Sequence, residues 1–95
     1  MKHFRWSETK NRELIKNRNV SFEEIVFYIM NDGLLDIIEN PNKTKYPRQS
    51  FFIVRVVNYV YIVPFVEDDE SVFLKTIIPS RKMTKKYLRG ENEIK

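Results

Sequence analysis

Hydrophobic positions recur at helical spacing in the second quarter of the chain, at Phe22, Ile25, Val26, Ile29 and Met30. Residues three and four apart lie on one face of a helix, so this pattern predicts an amphipathic helix over residues 22–31. Ser21 and Glu24 have the spacing of a capping box at its start, and Gly33 is expected to end it. The apolar stripe is expected to pack on the core.

A weaker pattern precedes this helix and predicts a surface helix over residues 7–18. Ser7 is a suitable N-cap, and Asn19 can adopt the left-handed conformation in which many helices end. Because the apolar content of this stretch is thin, little of the helix can be buried. Trp6, just before the helix, is its expected anchor to the core.

Four runs rich in β-branched and aromatic residues follow and predict strands: Leu34–Ile38, Ser50–Val57, Tyr59–Val66 and Ser71–Ile78. A polar connection, Glu39–Arg48, separates the first two strands. Asn58 alone separates the next two, which indicates a tight hairpin. Glu67–Glu70 forms a further turn, and Pro79 ends the last strand because proline cannot donate a backbone hydrogen bond.

The C-terminal stretch predicts a short closing helix, Met83–Arg89, which Gly90 ends, and a frayed tail over residues 91–95. The predicted order is ααββββα, and helices grouped before antiparallel strands are typical of an α+β fold. We therefore expect a single domain, residues 1–95. It has two N-terminal helices, a four-stranded antiparallel sheet and a short C-terminal helix, with the helices packed on one face of the sheet.

The predicted strands are apolar on both faces. Alternate residues of one strand show this on either side: Phe52, Val54 and Val56 on one face, Phe51, Ile53 and Val57 on the other. A sheet with two apolar faces needs a cover on each, supplied by its own helices or by a partner protein.

Composition excludes several kinds of site. The chain of 95 residues has no cysteine, one histidine (His3) and two glycines. A disulfide scaffold, a thiolate zinc site, a histidine metal site, a catalytic triad and a phosphate-cradling glycine loop are therefore excluded. We expect no metal and no cofactor. The polar N-terminus and the lack of a long apolar run predict a cytoplasmic protein without a membrane partner.

Charge is distributed unevenly along the chain, whose net charge is +4. Residues 1–19 carry a net +4, residues 20–73 a net −5 and residues 74–95 a net +5. If both basic ends fold onto one face, they form a positive surface suited to a polyanion. The alternative is that these basic helices simply keep the protein soluble.

Arginines lie at three places around the predicted sheet. Arg55 interrupts an apolar strand, Arg48 precedes the same strand, and Arg81 follows the last strand. Lysines and tyrosines accompany them at Lys82, Lys85, Lys86, Tyr59, Tyr61 and Tyr87. Binding of single-stranded RNA requires cations for its phosphates and rings for its bases.

The same groups could cleave RNA without a metal ion. The 2′-hydroxyl of the RNA attacks the adjacent phosphate, and an arginine stabilises the extra negative charge through paired hydrogen bonds. A lysine, tyrosine or carboxylate of shifted pKa would be the general base. The alternatives are that Arg55 pairs with an acid such as Glu67, and that the basic closing helix is only a solvated surface.

Three stretches of the chain match the motifs of a known family. Phe4-Arg5-Trp6-Ser7-Glu8-Thr9-Lys10-Asn11 and Val20-Ser21-Phe22-Glu23-Glu24 resemble the opening of BrnT-family toxins, Phe-x-Trp-Asp-x-x-Lys and Lys-His-Gly-Val-x-Phe-x-Glu. Ile77-Ile78-Pro79-Ser80-Arg81-Lys82 resembles the Ile-Ile-Ser-Ala-Arg-Lys that follows the last strand of that family. The resemblance extends from Phe4 to about Arg89.

This resemblance implies a toxin of a type II toxin–antitoxin pair with a RelE-like fold. Such toxins are ribonucleases that stop translation and act on RNA, free or on the ribosome. A cognate antitoxin, commonly of the ribbon-helix-helix type, neutralises them, and the complex contacts operator DNA. By motif, Arg81 and Lys82 match the arginine and lysine after the last strand. Lys10 matches the lysine of the first helix, and Arg48 lies near an arginine before the second strand.

The chain also departs from the family pattern. Ser7 replaces aspartate, Arg18 and Asn19 replace the histidine and glycine, and Pro79 and Ser80 replace serine and alanine. Fold survives such changes better than catalytic detail. The sequence therefore leaves two further interpretations open: a non-catalytic module that binds RNA or protein, and a structural subunit of a complex.

Overall fold

The computed structural model describes residues 2–90 of the chain, and of residues 89 and 90 only the backbone. Its elements, in order, are β1 (His3–Arg5), α1 (Glu8–Arg18), α2 (Phe22–Met30), β2 (Leu34–Glu39), β3 (Ser50–Val56), β4 (Tyr59–Glu67), β5 (Ser71–Leu74), β6 (Ile78–Pro79), α3 (Arg81–Thr84) and a π-helical segment (Lys85–Gly90). We call α3 and the π-helical segment together the C-terminal helix. The predicted frayed tail lies outside the described residues.

The predicted α+β class is confirmed, but the predicted sheet of four antiparallel strands is wrong. The sheet has six strands in the order β1-β5-β4-β3-β2, and β6 also pairs with β4. β1 runs parallel to β5, with Phe4 opposite Val72, whereas the other pairs are antiparallel. A three-residue strand is too short to show a periodicity, and its partner lies at the other end of the chain.

The last predicted strand, Ser71–Ile78, is divided into β5 and β6. Between them the backbone N–H of Lys75 donates to the carbonyl of Pro64 in β4, at 2.8 Å. The N–H and C=O groups of one strand residue point to the same neighbouring strand. The hydrogen-bond ladder between β4 and the last predicted strand is therefore interrupted at Pro64, which has no N–H to donate. Such an interruption accommodates a proline inside a sheet.

The closing helix begins at Arg81, capped by Ser80, and not at Met83 as predicted. The ends of α1 and α2 follow the predicted signals with one exception. The Ser7 hydroxyl accepts from the N–H of Lys10 at 3.2 Å, Asn19 adopts a left-handed φ of 57°, and the capping box at the start of α2 is present. Gly33 does not end α2 through a left-handed conformation, because the neighbouring Asp32 takes that role with a φ of 71°.

The main core lies between α1, α2 and one face of the sheet, which we call the first face. The indole of Trp6 stacks on Phe22 with ring centroids 5.6 Å apart, which confirms it as the anchor of α1. A buried Asn11 joins the two helices: its side chain accepts from the N–H of Phe22 and donates to the Glu23 carboxylate, both at 2.8 Å. This bond occupies an otherwise unpaired N–H of the first turn of α2.

The prediction that all helices pack on one face is wrong. Asp36 is the register partner of Ile53, so the two side chains share the opposite, second face. The hydroxyl of Tyr87 donates to Asp36 Oδ2 at 3.0 Å, which places the C-terminal helix across this face. Ile53 and Val60 are fully buried there. The C-terminal helix therefore covers the part of the second face around Ile53 and Val60.

None of the helices in the described part of the chain is long and apolar enough to cross a membrane.

Candidate functional site

The hairpin between β3 and β4 forms one end of the candidate site. Its loop has two residues, Val57 and Asn58, and not Asn58 alone as predicted. Val57 has a φ of 57° and its side chain is 63% exposed. The Nε of Arg55 donates to the carbonyl of Val57 at 3.0 Å. Arg55 is thus tied to the hairpin backbone and not to Glu67, which pairs with Lys2.

The start of the C-terminal helix is fastened to the same end of β4. The N–H of Ser80 donates to the carbonyl of Val60 at 3.0 Å. The hydroxyl of Thr84 accepts from the N–H of Val60 at 2.9 Å and donates to the carbonyl of Ser80 at 2.8 Å. Thr84 is only 2% exposed. Arg81 and Lys82 therefore begin a helix whose first turn is locked to the sheet.

These attachments bring Arg55 and Arg81 to one end of the molecule. Val60 is the register partner of Arg55 on one side and bonds to Ser80 on the other. Arg55 and Ser80, the residue before Arg81, therefore lie on the two backbones that flank β4, about 10 Å apart at the usual spacing of strands. The side chains of Arg55 and Arg81 are both exposed.

Arg48 lies at the other end of the sheet. It precedes Ser50, which pairs with Phe65, about 17 Å along β4 from Val60. The structure therefore does not bring Arg48 together with Arg55 and Arg81.

Arg48 instead borders a cavity of about 310 Å³, lined by Arg48, Val66, Glu67, Asp68, Ser71 and Phe73. Backbone hydrogen bonds from Glu70 and Ser71 lower the pKa of the Asp68 carboxyl. The charged carboxylates of Glu67 and Asp68 make this cavity a poor site for an anion.

Three of the four predicted lysines lie on the C-terminal helix and are exposed: Lys82, Lys85 and Lys86. Among residues 2–88, whose side chains the structure describes, the only ion pairs are Lys2–Glu67 and Lys43–Glu39, so no carboxylate of this stretch pairs with these lysines. The Lys86 ammonium is 5.4 Å from the ring centroid of Tyr87. From Lys85 onward the helix has wider π-helical turns, so α-helical spacing no longer describes the lysine face.

The predicted tyrosines are divided between the two faces of the sheet. Tyr59 and Tyr61 are in contact on the first face, with ring centroids 5.6 Å apart, whereas Tyr87 reaches Asp36 on the second face. Burial, followed by the nearby Tyr59 and Glu24, raises the pKa of the Tyr61 phenol. A raised pKa makes this phenol a weaker source of phenolate at neutral pH.

Lys10 lies apart from the C-terminal helix. It is half-buried in the first turn of α1. The far end of α1 is tied to the sheet by Arg18, whose guanidinium donates to the carbonyl of Ile77. Lys10 and Arg18 are eight positions apart along α1, which corresponds to about 12 Å. Lys10 therefore stays a predicted RNA contact that the geometry does not join to Arg81.

We name the exposed cations Arg55, Arg81, Lys82, Lys85 and Lys86 the basic surface. Sequence reasoning identified these cations but missed the residues that position them. Ser80 carries a recognisable signal, because a serine before a polar helix is a common N-cap, and its hydroxyl accepts from the N–H of Met83 at 3.1 Å. Thr84 and Val57 carry none, because their roles depend on contacts with other elements.

The basic surface can bind phosphates by charge and by the paired donors of guanidinium groups. No protein-family model matches the chain, and neither a curated protein nor a solved structure matches it.

Proposed function

We propose that this protein is a ribonuclease toxin of the type II class, with Arg81 and Arg55 as its phosphate-binding groups. The observation that carries the proposal is the placement of Arg81. It is exposed, has no carboxylate partner among the described residues, and lies beside Arg55 on a helix locked to β4 by the buried Thr84. The family resemblance supports the class of activity and a neutralising antitoxin as partner.

The proposed reaction needs no metal ion. The 2′-hydroxyl oxygen of a nucleotide attacks its own 3′-phosphate, the bond to the 5′-oxygen of the next nucleotide breaks, and a cyclic phosphate remains. The proton of the 2′-hydroxyl passes to a base, and a proton is delivered to the leaving oxygen. Arg81 donates to the phosphoryl oxygens as their charge increases, while Lys82 and Lys85 bind neighbouring phosphates.

A second candidate function is RNA binding without cleavage. Two observations favour it. Arg48 lies about 17 Å along β4 from the Val60 position beside Arg81, so it cannot complete the same phosphate site. Tyr61, a candidate for the general base, lies on the first face of the sheet, whereas Arg55 lies on the second, and burial raises the pKa of its phenol. On this interpretation the basic surface binds RNA with a strong salt dependence and leaves it intact.

Expression of the wild type, Arg81→Ala and Arg12→Ala without an antitoxin tests the proposal. Arg12 is a suitable control because it is exposed on α1, across the sheet from the C-terminal helix, and its loss changes the charge equally. We expect growth arrest and breakdown of total mRNA with the wild type and with Arg12→Ala. Arg81→Ala should relieve both effects, because it removes the donor that stabilises the phosphate.

The outcomes separate the two candidate functions. If the wild type arrests growth while mRNA stays intact, and Arg81→Ala relieves the arrest, the result favours binding without cleavage. Normal growth at a high level of folded wild-type protein would contradict the toxin proposal.

A further inference from the structure

The tip of the β3–β4 hairpin holds a residue whose conformation is costly and whose side chain is not used by the core. Val57 has a φ of 57°, a region that β-branched residues rarely occupy. Asn58 is not in this region, so only the first loop position has a positive φ. Glycine is preferred at that position in two-residue hairpins. Here valine stands in its place with 63% of its surface exposed.

The surroundings keep the strained loop in place. The Nε–H of Arg55 donates to the carbonyl of Val57, and this bond fixes the tip relative to the guanidinium group. Among the described residues Arg55 donates through Nε alone, so its other nitrogens keep their donors for a ligand. Strained backbone that the rest of the fold maintains is found preferentially at functional positions.

The charges around the tip indicate what its ligand is. Arg55 is two residues away, and Arg81 follows the residue that bonds to Val60. No described carboxylate pairs with either arginine. An apolar side chain at a tip next to exposed cations suits a strand whose phosphates meet the cations and whose bases meet the apolar group. Nucleic-acid-binding proteins use apolar wedges against bases in this way.

We propose that Val57 contacts a nucleobase of the RNA whose phosphates bind Arg55 and Arg81, and so positions the strand on the basic surface. This inference rests on the proposed RNA binding. It assigns Val57 a positioning role and no part in bond breaking.

Binding of a short mixed-sequence 2′-O-methyl oligonucleotide, measured by fluorescence anisotropy, tests this role. Cleavage by the 2′-hydroxyl cannot occur on this strand. Val57→Gly is compared with Val57→Ile, which keeps a branched apolar side chain. We expect Val57→Gly to raise the midpoint of thermal unfolding, because it relieves the positive φ. It should nevertheless bind the strand about fivefold more weakly, and Val57→Ile should bind as the wild type does.

An abasic strand of equal length identifies the group that Val57 contacts. The wild type should bind the abasic strand more weakly than the intact strand. On the abasic strand, Val57→Gly and the wild type should bind with equal affinity. Unchanged binding of the intact strand by Val57→Gly would overturn the proposal. If Val57→Gly then still relieves growth arrest, the tip contacts a protein instead. A wild type that binds neither strand would overturn the proposed RNA binding itself, a result distinct from loss in the variant alone.

Discussion

Gly33 lies where the end of α2 and the end of β3 approach each other. Its N–H donates to the carbonyl of Tyr28 at 2.6 Å, and its carbonyl accepts from the N–H of Arg55 at 2.8 Å. A Cβ atom at this position would lie 2.6 Å from the carbonyl oxygen of Tyr28 and 2.9 Å from that of Arg55. The glycine is required by this close approach of two backbones and not by a left-handed turn.

We therefore expect Gly33→Ala to lower the free energy of unfolding by about 2 kcal/mol, because backbone atoms must move apart to admit the methyl group. Asp32→Gly is the matched control. Asp32 has a φ of 71°, so a glycine there relieves strain and should leave stability unchanged or slightly higher. Urea denaturation of both variants measures the difference. Equal stability of Gly33→Ala and the wild type would contradict the close approach.

At the scale of elements, the C-terminal helix depends on a few polar bonds to the sheet. Thr84 accepts one from the N–H of Val60, and the N–H of Ser80 donates another to the carbonyl of Val60. Tyr87 supplies one through the carboxylate of Asp36. Asp36 also accepts from the N–H of Ile37, at 2.8 Å, on a strand at the end of the sheet order. These bonds set the position of Arg81, so the site and the packing of the helix are coupled.

Replacement of Thr84 by valine keeps the shape of the side chain and removes its hydroxyl. The N–H of Val60 then loses its acceptor in a buried place, and we expect a loss of about 2 kcal/mol in stability. Thr84→Ser keeps the hydroxyl and should retain most of these bonds. Hydrogen exchange at the Val60 amide should accelerate in Thr84→Val and not in Thr84→Ser. Equal protection in the two variants would show that the hydroxyl does not hold the helix.

At the scale of the whole molecule, the two basic helices, α1 and the C-terminal helix, lie on opposite faces of the sheet. α1 contributes Leu14 to the core of the first face, whereas the C-terminal helix crosses the second face. The two helices therefore do not form the single positive surface that the sequence would give if both basic ends folded onto one face. The basic surface is formed by the C-terminal helix with Arg55, and it opposes the acidic turn Glu67–Glu70 along β4.

This layout predicts a salt dependence that individual lysines control. Each phosphate contact on a single strand contributes about −0.7 to the slope of log affinity against log salt concentration. Lys82→Ala and Lys85→Ala should each make the slope less steep by about 0.7. Arg12→Ala should leave it unchanged, since Arg12 lies on α1. Titration of the 2′-O-methyl strand with salt measures the slopes, and equal slopes for all variants would place the RNA elsewhere.

The sequence by itself determined the elements whose signals are local. The apolar stripe and capping box of α2, the caps of α1 and the long runs of β2, β3 and β4 act within a few residues, so periodicity and side-chain chemistry reveal them. The cations of the basic surface were also visible in this way. The motif Ile77–Lys82 predicted Arg81 as a site residue. Spacing along the sequence alone could not show which of the other cations lie beside it.

The tertiary structure decided what depends on distant contacts. The pairing of β1 with β5, the crossing of the second face by the C-terminal helix, and the separation of Arg48 from Arg81 each join or divide residues far apart in the chain. The same holds for Thr84, whose partner is Val60, and for the space around Gly33. Backbone hydrogen bonds and close packing between distant residues select one of many arrangements of the same elements. A local sequence pattern does not specify which arrangement is selected.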